Sequence, residues 1–229
     1  MITMSKKPLL IFDHDGTLHA SMYIFGPAMK KGAEMIEEKG YGRIPDLTDE
    51  KISSLLGLTS YDIWKKLKSD LSDEAIEMVS YYVNTEMRKL LDEGKARWYD
   101  GAKEALDKLK ADGYHMVILS NCDIRLAGFY WEYFKMENWF DKFYDSESYG
   151  YKPKTEVIKY IIEERGNEAI MIGDRDKDLE CAKAVAIPFI GCGYGFAEEG
   201  ELDDADEIAD SPYDIARLAE KISKERYGA

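Results

Sequence analysis

The chain has 229 residues, 45% of them hydrophobic, and carries a formal net charge of -14. This length fits one large domain or a core with a smaller inserted domain, and the hydrophobic content excludes a disordered chain. The negative charge argues against nucleic acid and against an anionic membrane surface as main partners. An anionic substrate would therefore need local positive charge, which a metal ion and one well-placed lysine could supply.

Cysteine use and hydropathy indicate the compartment. Cys122, Cys181 and Cys192 form no C-x-x-C pair and have no histidine partner at zinc-site spacing. Sparse, odd-numbered cysteines suit a reducing cytosol. Residues 1–8 lack the apolar stretch of a signal peptide, and no segment approaches the apolar length of a membrane span. We expect a soluble, cytoplasmic protein, and the sequence leaves a monomer and a homodimer equally open.

The first predicted element is a buried parallel strand at Leu9–Phe12, because a short apolar run of this kind needs cover on both faces. Asp13 and Asp15 follow it, and Gly16 and Thr17 then turn the chain away from the sheet. Ligand crevices in open α/β sheets lie just outside the carboxyl ends of the strands. Two carboxylates this close repel unless a cation or a shared proton compensates, which favours a metal site. An ordinary Asp-Gly turn or a helix cap would explain the same residues without chemistry.

Residues 20–94 contain helical patterns but no convincing apolar strand. The patterns cover 27–39, 49–56, 60–68 and 72–91. A helical block inserted directly after the first strand is a candidate lid, which would exclude water and contact the variable part of a substrate. A merely appended helical bundle is the alternative. We expect a catalytic core of residues 1–19 and 95–229, with an inserted helical cap domain of residues 20–94.

Beyond residue 95, predicted helices and strands alternate. The helices cover Ala102–Ala111, 155–165, 178–185 and 214–222, and the strands cover Met116–Leu119, 169–172 and 188–191. Alternation of this kind indicates a doubly wound parallel sheet, so the predicted fold class is α/β.

Polar residues stand near two of these boundaries. Ser120 and Asn121 follow the strand Met116–Leu119, where a hydroxyl and backbone N–H groups can face an anion, although a plain helix cap would look the same. Lys152, held by Pro153 before a helix, is suited to neutralise a phosphoryl oxygen or a carboxylate. Surface lysines are common, so this signal is weak by itself.

A second acidic pair follows the strand 169–172. Asp174 stands at the predicted strand tip and Asp178 in the first turn of the next helix, so both can converge on one Mg²⁺ ion. Helix-dipole compensation is the alternative, and it explains Asp176 better than Asp174. Two acidic pairs, a hydroxyl and a lysine at strand ends together suit phosphoryl transfer.

At these residues the chain resembles the haloacid dehalogenase-like (HAD) hydrolase superfamily. The four family motifs occur in order, as Asp13-x-Asp15-Gly16-Thr17, Ser120-Asn121, Lys152-Pro153, and Gly173-Asp174 with Asp178. The resemblance implies a Rossmann-like core with the small helical cap of one subgroup. The segment 190–196, the acidic pair after it and the segment 209–212 are similar to phosphoglycolate phosphatase-like members.

The resemblance also implies catalytic and metal-binding roles. Asp13 would attack the substrate phosphorus and form an aspartyl-phosphate. Asp15 would protonate the leaving alkoxide and then activate water. Mg²⁺ would be bound by the Asp13 carboxylate, the Asp15 backbone carbonyl and Asp174, with Asp178 orienting or assisting.

The resemblance further implies that Ser120, Asn121 (through its N–H) and Lys152 hold the phosphoryl oxygens, with Lys152 counted among the catalytic residues. The dehalogenases that name the superfamily lack the second aspartate, because their leaving group needs no acid, so Asp15 favours phosphate ester hydrolysis. We expect a Mg²⁺-dependent phosphatase that acts on a small phosphorylated metabolite and is similar to phosphoglycolate phosphatases.

Other functions remain open. Arg175 beside Asp174 also occurs in nucleotidase-like relatives, so a 5′-nucleotidase or pyrophosphatase of the same superfamily is the first alternative. A phospho-accepting, receiver-like signalling module also combines a strand-end aspartate, a hydroxyl and a lysine, but such modules are shorter and lack a cap. A degenerate, non-catalytic binding protein is a third alternative, but such a protein would not need intact catalytic motifs. His14 stands where an aliphatic residue is usual, and we expect it to point into the sheet environment rather than to act in catalysis.

Overall fold

The computed structural model of the protein describes residues 7–45 and 47–229. The chain divides into two compact units: one contains the residues up to His19 together with Trp98–Ala229, and the other is Ala20–Arg97. Within the described residues, each helix is either too short or too polar to cross a lipid bilayer.

The larger unit contains a six-stranded sheet in which all paired strands run parallel. Its strands are β1 (Leu9–Phe12), β2 (Met116–Leu119), β3 (Lys142–Tyr144), β4 (Ala169–Gly173), β5 (Phe189–Cys192) and β6 (Glu207–Ala209). Their order across the sheet is β3-β2-β1-β4-β5-β6. β1 lies at the centre, with Leu10 opposite both Met116 and Ile170. The chain winds outward from this central strand in both directions, which confirms the predicted doubly wound α/β fold.

The four predicted strands form the middle of the sheet, and two edge strands were not predicted. Every residue of β1, β2, β4 and β5 is buried, which explains their continuous apolar runs. β3 and β6 are three-residue edge strands with partly exposed positions, so they carry no comparable apolar run.

The smaller unit, Ala20–Arg97, is helical. Its helices are α1 (Met22–Glu38), α2 (Asp49–Ser53), α3 (Ser60–Leu67) and α4 (Asp73–Asp92). Thr48, Thr59 and Ser72 begin the last three helices, because each side chain accepts the backbone N–H three residues ahead. α1 starts before Pro27, the predicted first residue, which lies inside the helix. These helices overlap the four predicted helical stretches, and the role of the unit as a cap stays a prediction.

The helices of the larger unit cover both faces of the sheet. They are α5 (Ala102–Ala111), α6 (Ile124–Phe134), α7 (Lys154–Arg165), α8 (Asp176–Ala184) and α9 (Pro212–Ile222). One core cluster joins Ile11 of β1 to Ile158 of α7 and Leu179 of α8. Leu10 and Phe12, which alternate with Ile11 along the strand, are also fully buried. Because both faces are covered, the strand ends are the part of the sheet that is left open to a ligand.

Candidate active site

Strand-end residues of the three central strands meet at one edge of the sheet. Asp13 follows β1, Ser120 follows β2 and Asp174 follows β4. The Asp13 N–H donates to the Ile172 carbonyl at 2.8 Å, and the Ser120 N–H donates to the Tyr144 carbonyl at 3.0 Å. Sheet pairing thus continues to the strand tips, at the edge where α/β proteins bind ligands.

Three buried side chains form what we call the carboxylate cluster: Asp13, Asp174 and Asp178. They are 5%, 0% and 1% exposed. One carboxylate oxygen of each lies within 4.8 Å of the others. The structure therefore brings together three of the four residues that were predicted to bind the metal.

The start of α8 positions Asp178. Its Oδ2 accepts the backbone N–H groups of Asp174 and Arg175, both at 3.1 Å, so the side chain folds back over the helix N-terminus. Gly173 makes this possible, because a Cβ there would lie 2.3 Å from Asp178 Cγ. The glycine of the Gly-Asp motif is thus required by the close approach of this carboxylate.

Asp174 is held between two glycine-containing segments. Thr17 Oγ1 donates to its Oδ1 at 3.2 Å, and the Phe196 N–H donates to its Oδ2 at 2.7 Å. A Cβ on Gly16 would lie 2.1 Å from Asp174 Oδ2, and one on Gly195 would lie 2.4 Å from Asp174 Cβ. Both glycines therefore let the backbone approach this carboxylate.

Lys154 neutralises part of the carboxylate cluster. Its Nζ donates to Asp13 Oδ1 at 2.7 Å and to Asp178 Oδ1 at 2.6 Å. The residue is 7% exposed and is the first residue of α7, directly after Pro153. Burial alone would lower the pKa of Lys154, but the two carboxylates outweigh burial and raise that pKa. Lys154 is therefore a firmly charged ammonium.

The predicted placement of Lys152 in the site is wrong. Lys152 is exposed, and its Nζ donates to the Tyr160 hydroxyl and lies 4.8 Å from the centre of that ring. It precedes the helix on an exposed stretch, whereas Lys154 belongs to the first turn of α7 and faces the strand ends. A signal was available in the sequence: Lys154 shares the i, i+3, i+4 stripe of Val157 and Ile158, which is the buried side of α7.

The charge of the carboxylate cluster fits a divalent cation. Burial, followed by the charge of Asp178, raises the pKa of Asp13 to about 7, although Lys154 opposes this. Burial, with the charges of Asp13 and Asp178, also raises the pKa of Asp174 well above its ordinary value. Three carboxylates thus share one ammonium group. Hard divalent cations prefer such oxygen ligands and would offset the remaining charge.

The carboxylate of Asp15 lies with two imidazoles, and we call His14, Asp15 and His19 the histidine cluster. Asp15 Oδ1 is 3.0 Å from His19 Nδ1 and 3.5 Å from His14 Nδ1. Both imidazoles are fully buried, and the Asp15 side chain is 20% exposed. Burial would raise the pKa of Asp15, but His14 and His19 outweigh it and hold that pKa well below its usual range. This cluster was not predicted from the sequence.

Ser120 and Asn121 form the turn after β2, beside the end of β1. Ser120 is 3% exposed, and its Oγ accepts the Cys122 N–H at 3.3 Å. The Asn121 carbonyl accepts the Ser146 hydroxyl at 3.0 Å. Both residues lie on the strand edge that carries Asp13, and their contact with a phosphoryl group stays a prediction.

Known proteins match nearly the whole chain. Residues 10–192 match the haloacid dehalogenase-like hydrolase family. The chain is 27% identical over 205 residues to a 5′-nucleotidase of Pseudomonas aeruginosa, covering 86% of this chain and 87% of that protein. It is 24% identical over 210 residues to a phosphoglycolate phosphatase of Agrobacterium fabrum, covering 86% of this chain and 85% of that protein.

The fold has close counterparts among solved structures. A predicted phosphatase from Clostridium acetobutylicum superposes with a TM-score of 0.76 at 26% identity, covering 96% of this chain and 100% of that one. The family match begins within β1 and includes β2, β4 and the strand-end residues that carry the site. The chain therefore belongs to the haloacid dehalogenase-like hydrolases, as its motifs indicated.

Proposed function

We propose that this protein is a Mg²⁺-dependent phosphatase that hydrolyses a small phosphate monoester through an aspartyl-phosphate intermediate. The carboxylate cluster carries this proposal, because Asp13 lies at the tip of the central strand in contact with Lys154. Phosphoryl transfer needs a nucleophile, a fixed positive charge and ligands for a divalent cation close together. The carboxylate cluster and Lys154 supply all three. The phosphatases among its relatives support the same activity.

Asp13 is the nucleophile in this proposal. One of its oxygens attacks phosphorus while the bond to the leaving oxygen breaks, which leaves the phosphoryl group on Asp13. Lys154 orients the carboxylate through its 2.7 Å contact and brings positive charge to the incoming phosphoryl group. Water then attacks the same phosphorus, releases inorganic phosphate and restores Asp13.

Asp15 moves the protons of both steps. It gives a proton to the leaving oxygen in the first step and accepts one from the attacking water in the second. His19 fixes the carboxylate through the 3.0 Å contact to Oδ1. Proton transfer needs a positioned group, and this contact positions Asp15.

Asp13, Asp174 and Asp178 are the side chains that would hold Mg²⁺, and the backbone carbonyl of Asp15 is the further ligand that the family resemblance implies. When bound, Mg²⁺ offsets the charge of the phosphoryl oxygens and of the three carboxylates. Thr17 holds Asp174 in place for this role.

Ser120, the Asn121 N–H and Lys154 would bind the phosphoryl oxygens. Lys154 replaces Lys152 in this role because of its position in the carboxylate cluster. The helical unit Ala20–Arg97 is proposed as the cap domain that selects the substrate. We place the reaction in the cytoplasm, which the three free cysteines support.

Two substrate classes are favoured by relatives. A phosphoglycolate phosphatase relative supports a small phosphorylated carboxylic acid, and a 5′-nucleotidase relative supports a nucleoside monophosphate. Arg175, which suggested the nucleotidase, is engaged within the protein: its Nε donates to Glu201 at 2.8 Å. The nucleotidase alternative therefore depends on the relative rather than on this arginine, and phosphoglycolate is our first candidate.

The test compares Asp13→Asn with Asp176→Asn on p-nitrophenyl phosphate in the presence of Mg²⁺. Asp176 is a matched control, because it stands in the first turn of α8 with its side chain 41% exposed. The parent and Asp176→Asn should turn over, while Asp13→Asn and the chelator-treated parent should not. Parental rates in Asp13→Asn would exclude it as nucleophile, and unchanged rates in chelator would exclude the metal.

A comparison of kcat/KM values for a panel of phosphate esters identifies the substrate class. Phosphoglycolate should exceed the nucleoside monophosphates. The reverse order would select the nucleotidase alternative.

A further inference from the structure

The histidine cluster is built by a tight turn at the end of β1. The N–H groups of Leu18 and His19 both donate to the His14 carbonyl, at 3.0 and 2.9 Å. The Gly16 N–H donates to the His19 carbonyl at 3.0 Å. These hydrogen bonds bring His19 next to Asp15, so the backbone of the turn places the three residues close together.

The environment of the His14 imidazole indicates that a ligand binds here. Its imidazole is 0% exposed, and across residues 7–45 and 47–229 neither ring nitrogen finds a hydrogen-bond partner. A buried polar group without a partner is destabilising, and a bound ion is one of the few reasons for keeping one. Its Nδ1 lies 3.5 Å from Asp15 Oδ1, so this nitrogen faces the carboxylate.

The spacing of the donor atoms fits a tetrahedral metal site. Asp15 Oδ1 lies 3.0 Å from His19 Nδ1 and 3.5 Å from His14 Nδ1, and one donor atom of each residue lies within 4.8 Å of the others. Zinc binds imidazole nitrogen and carboxylate oxygen at about 2.0–2.2 Å, which puts neighbouring tetrahedral ligands about 3.3–3.5 Å apart.

We propose that the histidine cluster binds a divalent transition-metal ion of the zinc class, with His14, Asp15 and His19 as its three protein ligands. Neutral imidazole suits Zn²⁺, whereas Mg²⁺ prefers oxygen ligands. The two clusters therefore select different ions. Three protein ligands leave a fourth position for water.

Aromatic side chains surround the proposed site. The Tyr130 ring centre lies 4.3 Å and the Trp98 ring centre 6.3 Å from that of His14, and Phe134 lies 5.3 Å from His19. This wall packs against the imidazole rings and lowers the polarity around them. Low polarity around the site strengthens the attraction between a cation and the Asp15 carboxylate.

Zinc bound here inhibits the phosphatase. The Asp15 oxygen that coordinates the ion no longer carries a proton to the leaving group or accepts one from water. This consequence rests on the proposed function of Asp15, whereas the binding of zinc does not.

The chain has three histidines, which makes binding directly observable. His115 is a matched control, because its side chain is 68% exposed and lies 3.0 Å from Asp141. We would titrate Zn²⁺ into metal-stripped, histidine-labelled protein in saturating Mg²⁺ and follow the imidazole NMR signals, assigned with His115→Phe. The His14 and His19 signals should change together. A change confined to His115 would overturn the proposal without any need for a cluster variant.

Equilibrium dialysis measures the affinity of the protein for Zn²⁺. His14→Phe replaces the imidazole with an apolar ring and should weaken zinc binding at least about tenfold, while His115→Phe should bind like the parent. Equal affinity in His14→Phe and the parent would contradict the site.

Inhibition is measured in the same saturating Mg²⁺. His14→Phe should need at least about tenfold more zinc than the parent for half-inhibition of its own rate. Zinc binding at the cluster without inhibition would overturn the inhibitory role. A parent that hydrolyses no phosphate ester would refute the proposed function and leave the binding result standing.

Discussion

The carboxylate cluster and the histidine cluster share one strand end but balance their charge differently. In the first, burial and Asp178 raise the pKa of Asp13 to about 7 despite the contact with Lys154. In the second, His14 and His19 hold the pKa of Asp15 well below its usual range despite burial. Two aspartates one residue apart thus have opposite shifts, each set by the side chains that the neighbouring elements supply.

The raised pKa of Asp13 shows that the carboxylate cluster needs a cation before Asp13 is fully ionised. A nucleophile must be ionised, yet in the metal-free carboxylate cluster the pKa of Asp13 is raised to about 7, so a large share of Asp13 is protonated at neutral pH. A bound divalent cation reverses that preference, because it favours the charged form of its ligands. The low pKa of Asp15 keeps it ionised and so able to accept a proton, but it also makes the carboxylate a weak base and leaves little of the protonated form that the leaving oxygen needs.

The largest expected effect is that of Asp15→Asn, which distinguishes proton donation to the leaving group from proton acceptance from water. Asp15→Asn should lower hydrolysis of an alkyl phosphate by about 10²–10⁴-fold, because an alkoxide needs an acid to leave. The first-turnover release of p-nitrophenol, a good leaving group, should fall far less. Rapid-mixing absorbance measures the first-turnover rate, and Asp176→Asn controls for charge loss. Equal losses on both substrates would argue against Asp15 as the acid.

The next effect compares the two lysines of the Lys-Pro-Lys segment. Lys154→Met should lower kcat/KM by about 10²–10³-fold, because it removes a preorganised charge from the reacting centre. Lys152→Met should stay close to the parent, because that side chain is exposed and pairs with Tyr160. Steady-state kinetics on p-nitrophenyl phosphate measures both. Similar losses in the two variants would contradict the assignment of Lys154.

Metal binding should depend on pH through Asp13. The ion must displace a proton from a group whose pKa is raised to about 7, so Mg²⁺ affinity should fall about tenfold from pH 8 to pH 6. The same shift makes the contribution of Asp13 to the stability of the metal-free chain fall as pH rises from 3.8 toward 7. Calorimetric titration measures the affinity, and Asp13→Asn should flatten its pH dependence. An unchanged affinity at pH 6 would contradict the raised pKa.

The smallest expected effect concerns the stability of the histidine cluster. His14→Phe removes two ring nitrogens that lack hydrogen-bond partners, but it also removes an imidazole that lowers the pKa of Asp15, so the free energy of unfolding of the metal-free chain should change less than in His19→Phe. His19→Phe breaks the contact with Asp15 and should lower that free energy by about 1–3 kcal/mol. Denaturant titration compares them. A larger loss in His14→Phe would mean that its nitrogens are satisfied in solution.

Much of the fold and of the carboxylate cluster follows from sequence patterns. Parallel strands buried on both faces need continuous apolar runs, and their carboxyl ends meet at one edge of the sheet. Asp13, Asp174 and Asp178 could therefore be placed together from their positions after such runs. The short edge strands β3 and β6 escape this reasoning, because their partly exposed residues leave no continuous run.

The rest of the site depends on geometry that motifs do not carry. The Lys-Pro motif indicates Lys152, whereas the apolar stripe of α7 indicates Lys154, and the choice between them depends on which residue begins the helix. The histidine cluster depends on hydrogen bonds that return His19 to Asp15 within one turn. A pattern of residue types records neither the closure of that turn nor the burial of both imidazoles.

Trapping the phosphoryl group on Asp13 is the most direct test of Asp13 as the nucleophile. Asp15→Asn should slow the attack of water and so accumulate the intermediate on p-nitrophenyl phosphate. Quenching the reaction, reducing the acyl phosphate with borohydride and sequencing the peptides by mass spectrometry should reveal homoserine at position 13. Modification at another residue, or none while p-nitrophenol is released, would contradict the account.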